Sequence, residues 1–511
     1  MNANNPMTPG VYTREVNAFP NSVPMVPTAV PAFIGYTTKT SSPKGENLTK
    51  HPRFISSFRE FTDLFGGQPP IQFTVDETKT PPTSSPQTAT VKLSGDKSYD
   101  VTLSARFYLY DALRMYFANG GGPCYVVSVG LASSTPGKKS SKDFWDTPAM
   151  DQVLKEIPFP KPTIICIPDA RMCSDPERLA LYSKVLKHCT DLADRIVLMD
   201  VPTTNRKPVD DAKTFRDTVS GDKPSYGAAY YPELLTNLYD QDNLDGSMIA
   251  KPVITSPPLL ADGDFKALLG ANGNTDTDNQ TRKQKHASLL ARDPNTPSSN
   301  TIASDYKALL SAMASVANVM PPSAAMAGIY ARVDSDVGVW RAPANTNILG
   351  VVAPTVTVTD DTQAGLNVDA NAGKSINAIR SFYGRGPAIV WGARTLDGNS
   401  KDWRYINVRR TVILIEQSVA NAAFSMVFEP NTAPTWTTCR AMIAGFLRSL
   451  WAAGALQGAT PEDAFSVTVG LGTTMTADDI LDGIMRIEVK LALVRPAEFI
   501  VITYQQQMAK S

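Results

Sequence analysis

Asn119-Gly120-Gly121-Gly122-Pro123-Cys124-Tyr125-Val126-Val127-Ser128-Val129 separates two periodicities. Upstream, residues 107–118 carry apolar side chains at helical spacing. The Asn-Gly-Gly-Gly-Pro run stops that helix. Residues 124–129 then form an apolar run of the length and β-branched content of a strand buried on both faces. The same unit recurs downstream. Helices are predicted over 150–157, 176–192 and 210–219, and strands over 163–168, 195–201 and 226–231. In 176–192, Leu179, Leu181, Val185 and Leu186 are the inward residues. Upstream, 32–37 reads as a buried strand and 56–65 as a helix ending at Gly66-Gly67. Strands alternating with helices predict a largely parallel α/β sheet.

Two segments interrupt this alternation. Within 68–104, residues 88–93 and 99–103 flank Ser94-Gly95-Asp96-Lys97, a hairpin signal that implies a small β insertion. Residues 259–300 are rich in Asn, Asp, Thr and Pro and show little apolar periodicity, so they read as a surface insertion or mobile loop. The pattern changes again from 376. Residues 387–391 and 424–428 read as strands and 408–423 as a helix. A long helix follows, capped by Thr432 with Pro434 in its first turn. Trp436, Cys439, Ile443, Phe446, Leu447, Leu450 and Trp451 form its apolar face, and Gly454 ends it. Ile487, Val489, Leu491 and Leu493 alternate with charged residues, the mark of a half-exposed antiparallel strand. The expected organisation is an arm over 1–31, an α/β domain over 32–372 and an α+β domain over 373–511.

Both ends carry strand-forming runs, and the C-terminal one either sits inside its own domain or is donated to a neighbouring copy. Phe499, Ile500, Val501, Ile502, Thr503 and Tyr504 form an apolar, β-prone run before a polar tail. Left unpaired, such a strand invites aggregation. At the other end Val11, Tyr12, Thr13 and Val16 belong to a second short strand, followed by a Pro-rich stretch up to Pro31. Two strand-forming arms on one chain point to β-strand addition between subunits.

Composition narrows the function. In 511 residues, 49 Lys and Arg balance 49 Asp and Glu, without the basic excess of a nucleic-acid binder. No segment reaches the roughly 20 apolar residues of a membrane span, and the N-terminus has no secretory pattern. The five cysteines, Cys124, Cys166, Cys173, Cys189 and Cys439, form no C-x-x-C pair and read as reduced and structural. Of the three histidines, His51 and His286 sit in polar contexts and His188 on a helix, without metal-ligand spacing. Gly373-Lys374-Ser375 imitates the end of a phosphate-binding loop, but Val368 stands where the first glycine is needed. The glycines at 120–122 follow a helix and precede a strand, the reverse of a phosphate cradle. Asp276-Thr277-Asp278 lacks the glycine and distal glutamate of a calcium loop. Asp169, at a strand end, reads as a cap or turn residue. No catalytic, cofactor or metal residue is assigned. An α/β hydrolase or nucleotide-dependent enzyme is the competing reading, and a static tube or shell protein another.

The blocks Pro9-Gly10-Val11-Tyr12, Leu109-Tyr110-Asp111-Ala112-Leu113-Arg114, Ala327-Gly328-Ile329-Tyr330-Ala331-Arg332 and Gly338-Val339-Trp340-Arg341-Ala342-Pro343 resemble contractile tail sheath proteins of phage tails, tailocins and extracellular contractile injection systems. Towards the C-terminus the same holds for Trp391-Gly392-Ala393-Arg394-Thr395-Leu396, Tyr405-Ile406-Asn407-Val408-Arg409-Arg410, Phe428-Glu429-Pro430-Asn431, Gly454-Ala455-Leu456-Gln457-Gly458 and Val494-Arg495-Pro496-Ala497-Glu498-Phe499. The resemblance implies a subtilisin-like α/β domain with insertions, without its catalytic residues. A C-terminal α+β sheath domain facing an inner tube follows it, with strand-donating arms at both ends. It implies a structural, non-enzymatic subunit that polymerises with itself around the tube, contacts baseplate and terminal cap proteins, and contracts without a cofactor. Assembly in a bacterial cytoplasm, as part of a phage tail or injection particle, would follow. The donated strands would be 11–16 and 498–504, with Ile487, Val489 and Leu491 on a receiving strand.

Overall fold

The structure, a computed structural model, describes residues 23–501 apart from 79–86, 95–97, 133–138, 251–258, 260–261, 270–275, 293–295 and 370. Its contacts divide the chain into two units. One is Pro27–Arg410; the other joins Met1–Val26 to Thr411–Ser511.

The larger unit is organised by a nine-stranded sheet. Its strands are β1 (Pro31–Thr37), β2 (Arg53–Ile55), β6 (Cys124–Leu131), β7 (Ile164–Cys166), β8 (Ile196–Asp200), β9 (Gly227–Tyr231), β12 (Thr346–Asn347), β14 (Asn377–Phe382) and β15 (Gly386–Trp391). The order is β12-β15-β14-β9-β8-β7-β1-β6-β2. From β6 through β1, β7, β8 and β9 to β14 every pairing is parallel. β2, β15 and β12 extend the two edges antiparallel. Every residue of β1, β7, β8 and β9 is buried, as helices covering both faces of a parallel sheet require.

The glycine turn does what its sequence implies. Gly120 has φ +97°, and a Cβ on Gly121 would lie 2.5 Å from the Tyr116 ring. The preceding helix is Leu109–Ala118, two residues shorter than expected, and the Asp169 carboxylate accepts the Tyr108 and Leu109 N–H groups at its start.

The two interruptions are one body. β3 (Gln72–Glu77), β4 (Thr88–Lys92) and β5 (Ser98–Ala105) form an antiparallel sheet in the order β3-β5-β4. Helix Pro297–Ala317 packs against it, and helices Gly263–Leu269 and Asp276–Leu290 join the same core. Phe73, Val75 and Val101 share a core with Phe265, Leu309 and Met313. The stretch 259–300, expected as a surface insertion or mobile loop, is therefore largely helical among its described residues. Its apolar residues are spaced too sparsely to show a face until the sheet is set against them. A further small sheet, β11-β10-β13 (Val319–Met320, Leu234–Thr236, Val351–Pro354), adjoins this region in sequence.

The division between units falls at 410/411, not at 372/373. β14 and β15 belong to the nine-stranded sheet, through the parallel pairing of Asn377 and Ala378 with Tyr230 and Tyr231. In the smaller unit, helix Ala433–Ala452 buries Cys439, Met442, Ile443, Phe446, Leu447 and Leu450. β16 (Phe465–Thr468) and β17 (Glu488–Leu491) pair antiparallel as a two-stranded sheet. The strand expected over 424–428 is instead a short 3-10 turn, Phe424–Met426, with Phe424 and Phe428 exposed. No strand among the described residues pairs with it, and the backbone turns at Phe428, whose φ is +71°.

Candidate assembly site

The carboxyl edge of the parallel sheet is where such folds place ligands. Here it carries three buried carboxylates: Asp169 after β7, Asp200 at the end of β8 and Glu233 after β9. Asp169 accepts hydrogen bonds from the backbone N–H of Tyr36 (2.7 Å), Leu109 (3.1 Å) and Tyr108. A Cβ on Gly35 would sit 2.5 Å from its Oδ2, so only glycine admits this approach. Asp200 accepts from the backbone N–H and the hydroxyl of Ser323, both at 2.7 Å. Glu233 receives Arg171 through Nε (2.6 Å) and Nη2 (2.9 Å), and the Thr203 hydroxyl at 2.9 Å. Burial pushes Asp169 and Asp200 up to about 6. Burial also opposes the charge on Glu233, yet Arg171 and Arg178 hold its carboxyl below the usual range. These groups spend their hydrogen bonds on the protein, so the edge is a plug of internal contacts.

The other candidate motifs resolve the same way. Lys374 Nζ donates to the carbonyls of Arg216 (2.5 Å) and Val219 (2.6 Å), and Ser375 Oγ donates to that of Asn367 (2.6 Å). Both side chains tie down a loop. His188 is buried with Nδ1 2.9 Å from Asp151 Oδ1, and His286 Nδ1 lies 2.8 Å from the Tyr306 hydroxyl. The exposed His51 contacts the Thr49 carbonyl. Asp276 opens helix Asp276–Leu290. All five cysteines are free and buried. Among the described residues, no group of three or more His, Cys, Asp or Glu could hold a metal ion. No helix among them is long and apolar enough to cross a membrane.

The smaller unit presents the opposite character, with apolar and backbone groups left open. Among the described residues β17 pairs on one side only, Phe465 facing Leu491 and Val467 facing Val489. Leu493 adds a single bridge to Leu456, and the Gln457 N–H donates to the Ala492 carbonyl at 2.7 Å. Ile487, Val489 and Leu491 are half-buried. Beyond Arg495-Pro496 the chain pairs with no strand among the described residues. Phe499, Ile500 and Val501 are 73, 79 and 89% exposed. Ile502 and Tyr504 lie outside the described residues, as do Val11, Tyr12, Thr13 and Val16.

Sequence reasoning missed a second exposed group, Phe424, Val427, Phe428, Leu481 and Ile484. Asn431 draws its two loops together, donating from Nδ2 to the Ile484 carbonyl (3.1 Å) and accepting from Trp436 Nε1 (2.7 Å). These exposed side chains are available for contact with another protein. The Phe428-Glu429-Pro430-Asn431 block was their signal in the sequence.

Residues 399–507 match the family model for the phage tail sheath C-terminal domain. The tail sheath protein of Burkholderia phage BcepMu is 32% identical over 143 residues, a match spanning 27% of this chain and 29% of that one. The sheath complex of an extracellular contractile injection system, PVC, in its contracted state superimposes with a TM-score of 0.59 at 26% identity, over 98% of both chains. A chain of the anti-feeding prophage (AFP) baseplate in the contracted state gives a TM-score of 0.61 at 26% identity, again over 98% of both.

Proposed function

We propose that this chain, homologous to contractile sheath proteins of phage tails and contractile injection systems, is the structural subunit of a contractile sheath. Copies polymerise as rings or a helix around an inner tube and shorten to drive that tube through a target envelope. The likeness to a contracted sheath subunit over 98% of both chains is the observation that carries this reading. The plugged carboxyl edge supports a structural role for the α/β unit, which we take to be subtilisin-like in architecture only.

The joints are strand exchanges. Phe499, Ile500, Val501, Ile502 and Tyr504 of one copy, and Val11, Tyr12, Thr13 and Val16 of another, complete the sheet that β16 and β17 begin. Val489 and Leu491 lie at its receiving strand. The open pairing of β17 and the exposed 499–501 run support this arrangement. A two-stranded sheet is marginal alone and gains stability with each added strand. Main-chain bonds then hold the lattice while subunits turn, with Arg495-Pro496 and the arm ahead of Thr28 as hinges. The C-terminal unit faces the tube, and ring ends meet baseplate and cap proteins. Assembly takes place in a bacterial cytoplasm, and no nucleotide or other cofactor enters contraction. Electron microscopy of the purified assembly tests the proposal. Tubes in two lengths and diameters support it, whereas one fixed length under all triggering conditions makes the chain a static tube protein.

A further inference from the structure

The chain passes between its two units twice, at 26/27 and at 410/411. Within the larger unit, both exits meet at one buried carboxylate. Asp334, in helix Ser323–Asp336, takes Arg410 as a fork, Nη1 to Oδ1 at 2.8 Å and Nη2 to Oδ2 at 2.5 Å. The two side chains are only 4 and 6% exposed. The Thr28 hydroxyl donates to the same Oδ2 at 2.5 Å, and Arg410 Nη2 donates to the Thr28 carbonyl at 3.1 Å. Thr163 continues the fastening. Its hydroxyl donates to the Thr28 carbonyl (2.6 Å) and accepts from the Val30 N–H (3.0 Å). Beneath the fork lies the Tyr330 ring, 4.7 Å from the guanidinium, and the Tyr330 hydroxyl is 2.7 Å from that of Tyr230 in β9. The node is thereby built onto the central sheet.

We infer that Asp334 is a positioning residue, a latch that fastens the root of the N-terminal arm and the root of the C-terminal unit to one rigid point of the body. Its purpose rests on the sheath reading. Strands given to different neighbours pull on the two ends of the chain, and the latch refers both loads to the same node. Chemistry sets the residue types. A planar guanidinium makes two parallel bonds to a carboxylate and keeps a donor for the Thr28 carbonyl, which a lysine ammonium does not reproduce.

Hydrogen exchange on the purified full-length subunit tests the latch without any assembly. Thr28→Val removes one hydroxyl and no buried charge, while Asp334→Asn breaks the fork. Amides in 28–30 should exchange about fivefold faster in T28V and about tenfold faster in D334N, with 31–37 within about twofold of the parent. Unchanged 28–30 exchange in T28V, or an equal rise throughout the body, overturns the latch; should D334N unfold, T28V alone decides. Sheaths grown from T28V should be shorter than parental ones by negative-stain microscopy. Parental-length T28V sheaths, despite faster 28–30 exchange, overturn the positioning role. Failure of the strand-exchange reading shows elsewhere, as normal assembly of a Val501→Asp chain.

Discussion

Glu233→Ala separates a structural carboxyl edge from a catalytic one. The substitution strips Arg171, itself buried, of two bonds at 2.6 and 2.9 Å and leaves it the Tyr108 hydroxyl. Removing one partner of a buried pair costs roughly 3–5 kcal/mol, because the remaining charge stays desolvated. At about 2.1 cal/mol/K of unfolding entropy per residue, a unit spanning 27–410 loses roughly 0.8 kcal/mol per degree near its midpoint. The expected fall in Tm is therefore about 4–6 °C, read by scanning calorimetry on the soluble subunit. The double variant Arg171→Met/Glu233→Leu, which leaves neither member of this pair as a stranded charge, should recover at least half of that loss. A reactive edge would behave differently, since functional residues are commonly held at a cost to stability. A Glu233→Ala subunit as stable as the parent, or a double variant as poor as the sum of the singles, would refute the reasoning.

Three further outcomes follow from the same contacts. Val501→Asp, or deletion of residues 497–511, should abolish tube formation while leaving a soluble subunit of unchanged Tm; loss of the folded subunit would place this run in its own core. Phe73→Ala should cost about 3–5 kcal/mol in the shared insertion core, and limited proteolysis should then open 72–105 and 263–317 together; cleavage of only one segment contradicts a common core. The folded values of Asp169 and Asp200, about 6, lie above the ordinary aspartate value, so both groups favour the folded state most at low pH. That contribution disappears as pH rises through 6, by at most about 1.4 kcal/mol per pH unit for each group. Tm should accordingly rise between pH 7 and 5, and Asp200→Asn should flatten the rise. A Tm that falls over that interval in the parent, with D200N no different, contradicts the assignment.

Much of the molecule was readable from local pattern. The apolar runs at 32–37, 124–129, 195–201 and 226–231 became β1, β6, β8 and β9, because a strand buried on both faces needs no partner information to be recognised. The alternation through Ile487, Val489 and Leu491 marked a half-covered strand for the same reason. The terminal run 499–501 was legible as apolar, and the structure leaves it exposed. Other features were invisible because they join residues far apart in the chain. Periodicity cannot say that Phe73 shares a core with Met313, so 259–300 read as a surface insertion or mobile loop. Nor can it show that β14 pairs beside β9, which moves the boundary between units to 410/411. The sequence by itself determined which segments must be buried and that both ends carry strand-prone runs, since these depend on side-chain type at spacings of two and 3.6 residues. Only the tertiary structure decided that Glu233 meets Arg171 and that Asp334 gathers Thr28 and Arg410. A charge carries no mark of its partner until folding brings the two together.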